Sequence, residues 1–149
     1  MKTILAAVDS SGICTSVVAE AAALARAANG RVLLLTVVQP PVITSEYAPL
    51  FENIAELTAA GEKAAAGRLA ELQKRLVADG IASDTIQATG APVAHILAQA
   101  KACAADYIVM GSHGHTAFYD LLVGSTTHGV LLHAPCPIVI LPPSNKPVA

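Results

Sequence analysis

Short apolar segments alternate with segments of helical periodicity along the whole chain. Five of the apolar segments are bounded by turn-forming residues and have the length of strands. The second of them, RVLLLTVV, is apolar without interruption, as expected of a strand that is covered on both faces. We therefore predict strands over residues 3–8, 31–38, 83–89, 106–111 and 137–141.

Four helices are predicted between and beside these strands. The first two carry apolar residues at helical spacing, and both are expected to end in a left-handed residue, at Asn29-Gly30 and at Asp79-Gly80. Pro92 suits the first turn of the third helix. Gly129 lies inside the fourth, where we expect it to cost about 1 kcal/mol relative to alanine. The predicted helices span residues 14–28, 53–78, 92–102 and 125–133.

This alternation predicts an α/β fold with one parallel sheet and helices on both of its faces. Five strands give a doubly wound, Rossmann-like sheet, whose ligands bind at the carboxyl ends of the strands where the winding reverses. The first strand usually flanks that point. It ends at Asp9-Ser10, and the fourth strand ends at Gly111. A ligand crevice is therefore expected between these two strand ends.

Composition and charge exclude some classes of function but do not identify one. The 149 residues have the size of one domain, in which residues 142–149 form a tail, and 54% of them are hydrophobic. A net charge of −2 gives no electrostatic reason to expect nucleic acid or an anionic membrane. No apolar run reaches the ~18 residues that a spanning helix needs. The three widely spaced cysteines favour neither a disulfide framework nor a zinc site, so a cytoplasmic setting is predicted.

The segment after the fourth strand carries the most specific pattern in the chain. Gly111 and Gly114 allow the backbone to approach an anion closely, since no Cβ intervenes. Gly124-Ser125 opens a helix, and free N–H groups at a helix N-terminus favour phosphate. Ser125 and Thr126 add hydroxyl groups. The pattern predicts a phosphate cradle; the alternative is a glycine-rich turn followed by an ordinary serine cap.

The pattern GSHG, nine residues, then GS resembles the G-x2-G-x9-G-(S/T) nucleotide-binding motif of the universal stress protein family. ILAAVDSS resembles that family's first strand and loop, LLLTVV its second strand, and residues 106–141 its carboxyl-terminal block. The resemblance implies a five-stranded sheet of order 3-2-1-4-5, homodimerisation and bound ATP. It also implies that Ala7 and Asp9 lie against adenine and that the Val37 backbone contacts the base. Met110 and Gly111 would line the ribose, and the phosphates would be held by Gly114, Gly124, Ser125 and Thr126.

Asp9 has a plainer interpretation, and the phosphate site lacks a cation nearby in sequence. A short acidic residue after a strand, such as Asp9, is often only a turn former. No Lys or Arg occurs between Lys101 and Lys146, so ATP affinity is expected to depend on Mg²⁺ and to rise toward pH 6 as His113 or His115 is protonated. If it does not, a distant basic residue must reach the phosphates, from among Arg31, Lys63 and Arg68. Metal binding by His113 and His115 themselves is not predicted.

The function predicted is a nucleotide-dependent regulatory module. No catalytic set is visible, so slow ATP hydrolysis is the most that is expected of it. One alternative is a dimeric stress protein that does not bind nucleotide. Another is an ATP pyrophosphatase-like enzyme, because SSGICTS loosely resembles the Ser-Gly-Gly-x-Asp-Ser loop of that class.

The homodimer is predicted to form through residues 137–141, the strand at one sheet edge in the order 3-2-1-4-5. The strand is apolar and uncharged, and unpaired edge groups invite pairing with a second chain. A proline at Val139 is expected to remove one donor from this edge and to leave the fold intact. The alternative is that residues 39–52 or the tail cover the edge.

Overall fold

We describe residues 1–11, 13–40, 51–112 and 123–143 of a computed structural model of the chain. Strands and helices alternate throughout this part, as the sequence predicted. The strands are β1 (Lys2–Ala7), β2 (Gly30–Val38), β3 (Ser83–Thr89), β4 (Tyr107–Gly111) and β5 (Ile138–Leu141). The helices are α1 (Cys14–Ala27), α2 (Phe51–Ala78), α3 (Pro92–Ala102) and α4 (Ser125–His133).

The five strands form one parallel sheet in the order β3-β2-β1-β4-β5, which confirms the predicted fold. β1 lies between β2 and β4, with Leu5 opposite Leu33 on one side and Ile108 on the other. The chain winds outward from β1 in both directions. The winding therefore reverses next to β1, which puts the predicted crevice at the carboxyl ends of β1 and β4.

Two apolar layers cover the sheet, and β1 contributes to both. Ile4 and Ala6 pack with α1 and α2 on one face, whereas Leu5 packs with α3 and α4 on the other. All three side chains are completely buried. Burial on both faces explains why the central strands are apolar without alternation. No helix in the described part of the chain is long and apolar enough to cross a membrane.

The element boundaries differ from the predicted ones by at most two residues. One glycine, Gly30, has a structural role other than the predicted one. Gly80, with φ of 77°, takes the left-handed conformation after α2 as predicted. After α1 that conformation belongs to Asn29, with φ of 49°, and Gly30 already begins β2. A Cβ on Gly30 would lie 2.6 Å from the carbonyl oxygen of Lys2. Gly30 is therefore required by the close approach of β1 and not by the turn.

Gly129 likewise has a tertiary role that the sequence did not reveal. A Cβ at this position would lie 2.9 Å from Cγ2 of Val93 and 3.2 Å from its Cγ1. The absence of a side chain allows α4 to pack closely against α3. The expectation that alanine would stabilise the helix is therefore incomplete, because it counts helix propensity and omits this contact.

An ion pair links β1 to the residue before β4 at the amino-terminal end of the sheet. Lys2 Nζ lies 2.9 Å from Oδ1 of Asp106, and the Thr3 backbone N–H donates to Oδ2 of the same carboxylate at 2.8 Å. The Thr3 N–H bond, followed by the Lys2 ammonium, lowers the pKa of Asp106. The bond to Asp106 raises the pKa of Lys2 in turn. Asp106 therefore links the start of β1 to the residue before β4.

Candidate functional site

A cleft of about 490 Å³ opens at the carboxyl ends of β1, β2 and β4, where the winding of the sheet reverses. Its volume lies within the range of ligand pockets for small molecules and cofactors. Eight of the nine predicted site residues line it, namely Ala7, Asp9, Val37, Met110, Gly111, Gly124, Ser125 and Thr126. The ninth, Gly114, lies outside the described residues together with His113 and His115.

Asp9 both forms a turn and lines the cleft. One carboxylate oxygen accepts a hydrogen bond from the backbone N–H of Ser11 at 2.8 Å, which is the turn-forming role proposed as the plainer interpretation. The residue is nevertheless partly exposed to the cleft. Thr36, on the neighbouring strand, donates its hydroxyl to the Val8 carbonyl oxygen at 3.0 Å. These two bonds fix the backbone on either side of the carboxyl end of β1.

The N-terminus of α4 forms another wall of the cleft, and among the described residues no side chain caps it. The helix begins at Ser125, so its N-cap residue is Gly124, which has no side chain to accept a hydrogen bond from the first turn. Ser125 is thus the first helical residue and not the ordinary serine cap of the alternative interpretation. An uncapped N-terminus presents free N–H groups and the positive end of the helix dipole to an anion.

Hydrogen bonds hold this N-terminus against the end of β4. The Thr127 hydroxyl donates to the Gly111 carbonyl oxygen at 2.7 Å, and the Gly124 N–H donates to the Ser112 carbonyl oxygen at 2.6 Å. The Ser112 N–H donates to Leu141 of β5 at 2.8 Å. Thr127 is 2% exposed and borders the cleft. It was not among the predicted site residues, and the only signal for it in the sequence is that it is the third consecutive hydroxyl residue after Gly124.

A basic side chain reaches the cleft from a helix distant in sequence. Arg68, on α2, lines the cleft and also a neighbouring groove of about 320 Å³ that contains Arg75. Of the three basic residues named from the sequence as candidates for phosphate contact, only Arg68 lines this cleft among the described residues. Arg31 lies near the opposite end of the sheet, 3.7 Å from Asp84 and bonded to Thr3. Lys63 is exposed on α2 and does not line the cleft.

Cys14, the first residue of α1, completes the ionisable groups of the cleft among the described residues. Burial raises the pKa of its thiol, the Asp9 carboxylate raises it further, and Arg68 partly opposes both. A raised pKa keeps the thiol protonated at neutral pH, so Cys14 is poorly suited to act as a nucleophile. Within the described residues, no group of three or more His, Cys, Asp or Glu side chains is arranged to hold a metal ion.

Comparison with curated proteins identifies relatives along nearly the whole chain. The chain is 32% identical over 147 residues to the "Universal stress protein in QAH/OAS sulfhydrylase 3'region" of Thermus aquaticus, covering 94% of this chain and 98% of that protein. It is 27% identical over 143 residues to Universal stress protein YxiE of Bacillus subtilis, covering 92% and 96% of the two chains.

Solved structures with the same fold include several universal stress proteins. UspA from Lactobacillus plantarum superposes with a TM-score of 0.83 at 27% identity, covering 94% of this chain and 97% of the other. Two more distant neighbours share the fold at 23% and 21% identity, with TM-scores of 0.65 and 0.61. The first is a universal stress protein in complex with cAMP, and the second is the Archaeoglobus fulgidus protein in complex with dAMP. The model of the Universal stress protein family matches residues 1–142, and the chain therefore belongs to that family.

Proposed function

We propose that this protein binds an adenine nucleotide, ATP, in the cleft between β1 and β4 and acts as a nucleotide-dependent regulatory module. The observation that carries the proposal is the convergence of eight residues, predicted from separate parts of the chain, on one cleft of suitable volume. The uncapped N-terminus of α4 in its wall supports a phosphorylated ligand. The cAMP and dAMP complexes of two proteins of the same fold are consistent with an adenine nucleotide.

The family resemblance is the basis on which we propose which residues meet which part of the ligand. Ala7, Asp9 and the Val37 backbone would contact the base, and Met110 with Gly111 would line the ribose. Met110 is 4% exposed and borders the cleft with an apolar side chain, while Ala7 and Val37 are half-buried. The phosphates would lie at the α4 N-terminus against Gly124, Ser125 and Thr126, with Gly114 as a further contact.

The charge of a triphosphate needs more than the helix N-terminus. Helix-terminus interactions contribute only about 0.3–2 kcal/mol each, whereas micromolar binding requires about 8 kcal/mol in total. Arg68 supplies the fixed positive charge that the local sequence lacks. Mg²⁺ would bind mainly through phosphate oxygens and water, and the Ser125 and Thr126 hydroxyls are oxygen ligands of the kind it accepts. The rise of ATP affinity toward pH 6 through His113 or His115 stays a prediction, because both residues lie outside the described part of the chain.

We propose a binding module and not a metabolic enzyme because the cleft offers poor acid–base groups. Among the described lining residues, Asp9 is engaged by the Ser11 N–H, the Cys14 thiol has a raised pKa, and the guanidinium of Arg68 offers hydrogen-bond donors only. General base catalysis needs a group whose pKa lies near the working pH. Nucleotide occupancy is therefore the expected signal, with slow hydrolysis as an upper bound on activity.

We also propose that the protein forms a homodimer through β5, which lies at one edge of the sheet. All four residues of β5 are partly exposed, and Leu131 and Leu132 at the end of α4 are 51% and 65% exposed. Within the described residues no strand pairs with the outer side of β5. An apolar edge with free backbone groups favours antiparallel pairing about a two-fold axis.

Calorimetric titration with ATP, adenosine and pyrophosphate tests the nucleotide assignment. Gly124→Val should abolish ATP and pyrophosphate binding by blocking backbone approach, and the fold should tolerate it, because φ of −66° and ψ of 162° suit any residue. Asp9→Ala should weaken ATP and adenosine while barely affecting pyrophosphate. Unchanged ATP affinity in both variants would refute the assignment of this cleft.

A further inference from the structure

The peptide unit between Gly111 and Ser112 is held at both of its polar ends. Its carbonyl oxygen accepts the Thr127 hydroxyl at 2.7 Å, and its N–H donates to the Leu141 carbonyl oxygen at 2.8 Å. The next carbonyl, that of Ser112, accepts the Gly124 N–H at 2.6 Å. One bond thus ties this peptide unit to β5, and two bonds join the end of β4 to the first turn of α4.

Thr127 contributes the one side-chain bond of these three, and its burial makes that bond sensitive to substitution. The residue is 2% exposed, and Ser112, beside its acceptor, is 5% exposed. The acceptor carbonyl is that of Gly111, which is partly exposed at the cleft, so without the Thr127 hydroxyl it must find another partner or remain unsatisfied. The Gly111–Ser112 peptide would then be held only through its N–H, and its carbonyl would no longer be tied to α4.

We propose that the Thr127 hydroxyl is a positioning group for phosphate recognition, acting through the Gly111 carbonyl and the α4 N-terminus, while the residue itself borders the cleft. This inference rests on the proposed nucleotide site. Its hydroxyl fixes the distance between the ribose side of the cleft, at Met110 and Gly111, and the open N–H groups of α4. Recognition of a phosphate by preorganised N–H groups depends on such fixed geometry, since binding then requires no rearrangement.

Two other buried threonines provide matched controls for the loss of a hydroxyl group. Thr36 also lines the cleft, but its hydroxyl donates to Val8 at the end of β1, on the proposed base side. Thr3, 6% exposed, lies near the amino-terminal end of β1, and its hydroxyl accepts a bond from Arg31 at 3.3 Å. Valine is nearly isosteric with threonine, so each substitution removes the hydrogen bond with little change in shape.

The test is a set of affinities for ATP and for adenosine, measured by calorimetry on Thr127→Val, Thr127→Ser, Thr36→Val and Thr3→Val. Thr127→Val should weaken ATP about tenfold, as expected for the loss of one hydrogen bond and its geometry, and should leave adenosine within about twofold. Thr127→Ser should restore ATP affinity because it keeps the hydroxyl. Thr36→Val should weaken both ligands alike, and Thr3→Val neither.

The two proposals fail in different ways. If wild-type protein binds ATP but Thr127→Val keeps the wild-type ratio of ATP to adenosine affinity, Thr127 is not a positioning residue and the nucleotide site stands. An equal loss of both ligands in Thr127→Val, or no rescue by serine, would also overturn the positioning role. If wild-type protein binds neither ligand, the nucleotide proposal fails and this inference fails with it. Urea denaturation confirms that each variant is folded before its affinity is measured.

Discussion

Replacing two helical glycines by alanine should stabilise the protein at one position and fail to stabilise it at the other. Gly67 lies on the exposed side of α2, and a Cβ built there meets no other atom within 4 Å. Gly129 lies in α4, where a Cβ would meet both methyl groups of Val93 at 2.9 and 3.2 Å. The same chemical change is thus made in two helices, with open space in one case and a steric conflict in the other.

The expected magnitudes follow from these contacts. Alanine gains about 1 kcal/mol over glycine in a helix interior, so Gly67→Ala should raise the free energy of unfolding by about that amount. At Gly129 the same gain is offset by overpacking, which typically costs about 1–3 kcal/mol. Gly129→Ala should therefore range from nearly neutral to about 2 kcal/mol destabilising. The two variants should differ by about 1–3 kcal/mol.

Urea denaturation of both variants measures the difference, and a third substitution tests its cause. Val93→Ala removes the two methyl groups that the new Cβ would meet. In the Gly129→Ala/Val93→Ala double variant the alanine at 129 should become stabilising, which a double-mutant cycle detects as coupling. If Gly129→Ala stabilises the wild-type protein as much as Gly67→Ala does, the packing argument for α3 and α4 is wrong.

Three further predictions concern charge and assembly. Arg68→Gln should weaken ATP binding about two- to fivefold, leave adenosine binding unchanged and make ATP binding more dependent on Mg²⁺. Arg75 lines only the neighbouring groove, so Arg75→Gln should have a smaller effect on ATP affinity in the same titration. Because its folded-state pKa is lowered, Asp106 stabilises the fold above its unfolded pKa of about 3.9, and this contribution is lost as pH falls through the folded value. Asp106→Asn should therefore flatten the acid limb of a stability–pH curve measured by urea denaturation, and an unchanged limb would refute this role. Ile140→Pro should yield a monomer in light scattering, and a dimer of unchanged stability would exclude β5 as the interface.

The choice of Ile140 in that experiment corrects the sequence-based choice of Val139. The carbonyl oxygens of Pro137 and Leu141 accept bonds from Ile108 and Ser112, so these residues direct their backbone groups toward β4. Val139 lies midway between them and opposite Val109, and its N–H is directed the same way. A proline at Val139 would break the sheet itself. The groups free for a second chain belong to Ile138 and Ile140.

The sequence predicted the fold from local signals, and together with the family resemblance it predicted eight of the residues that line the cleft. Strand ends are marked by turn residues, and the residues at those ends, such as Asp9 and Gly111, necessarily meet at one edge of a parallel sheet. Arg68 could be named only as one of three candidate basic residues, since its position relative to the cleft depends on how α2 packs against the sheet. The contacts of Gly30 and Gly129 depend on distances between elements, which no pattern within one element contains.

In the motif after β4, too, the sequence predicted the local structure but not the contacts between elements. Its spacing predicted a helix beginning at Ser125, and the structure has it there. The N-cap is Gly124, and no side chain of the described residues caps the first turn; both facts depend on where the helix begins to within one residue. The Thr127 bond to Gly111 joins two elements, and the sequence offered no more than an additional hydroxyl residue as a signal.

Calorimetric titration of ATP into the wild-type protein, first freed of ligand by unfolding and refolding, tests the central claim most directly. The mass spectrum of the released material shows at the same time which nucleotide, if any, accompanies purification. We expect one ATP per chain with a dissociation constant in the micromolar range, and an adenine nucleotide in the released fraction. Absence of heat and of any change in thermal stability at millimolar ATP, with no nucleotide released, would contradict the account.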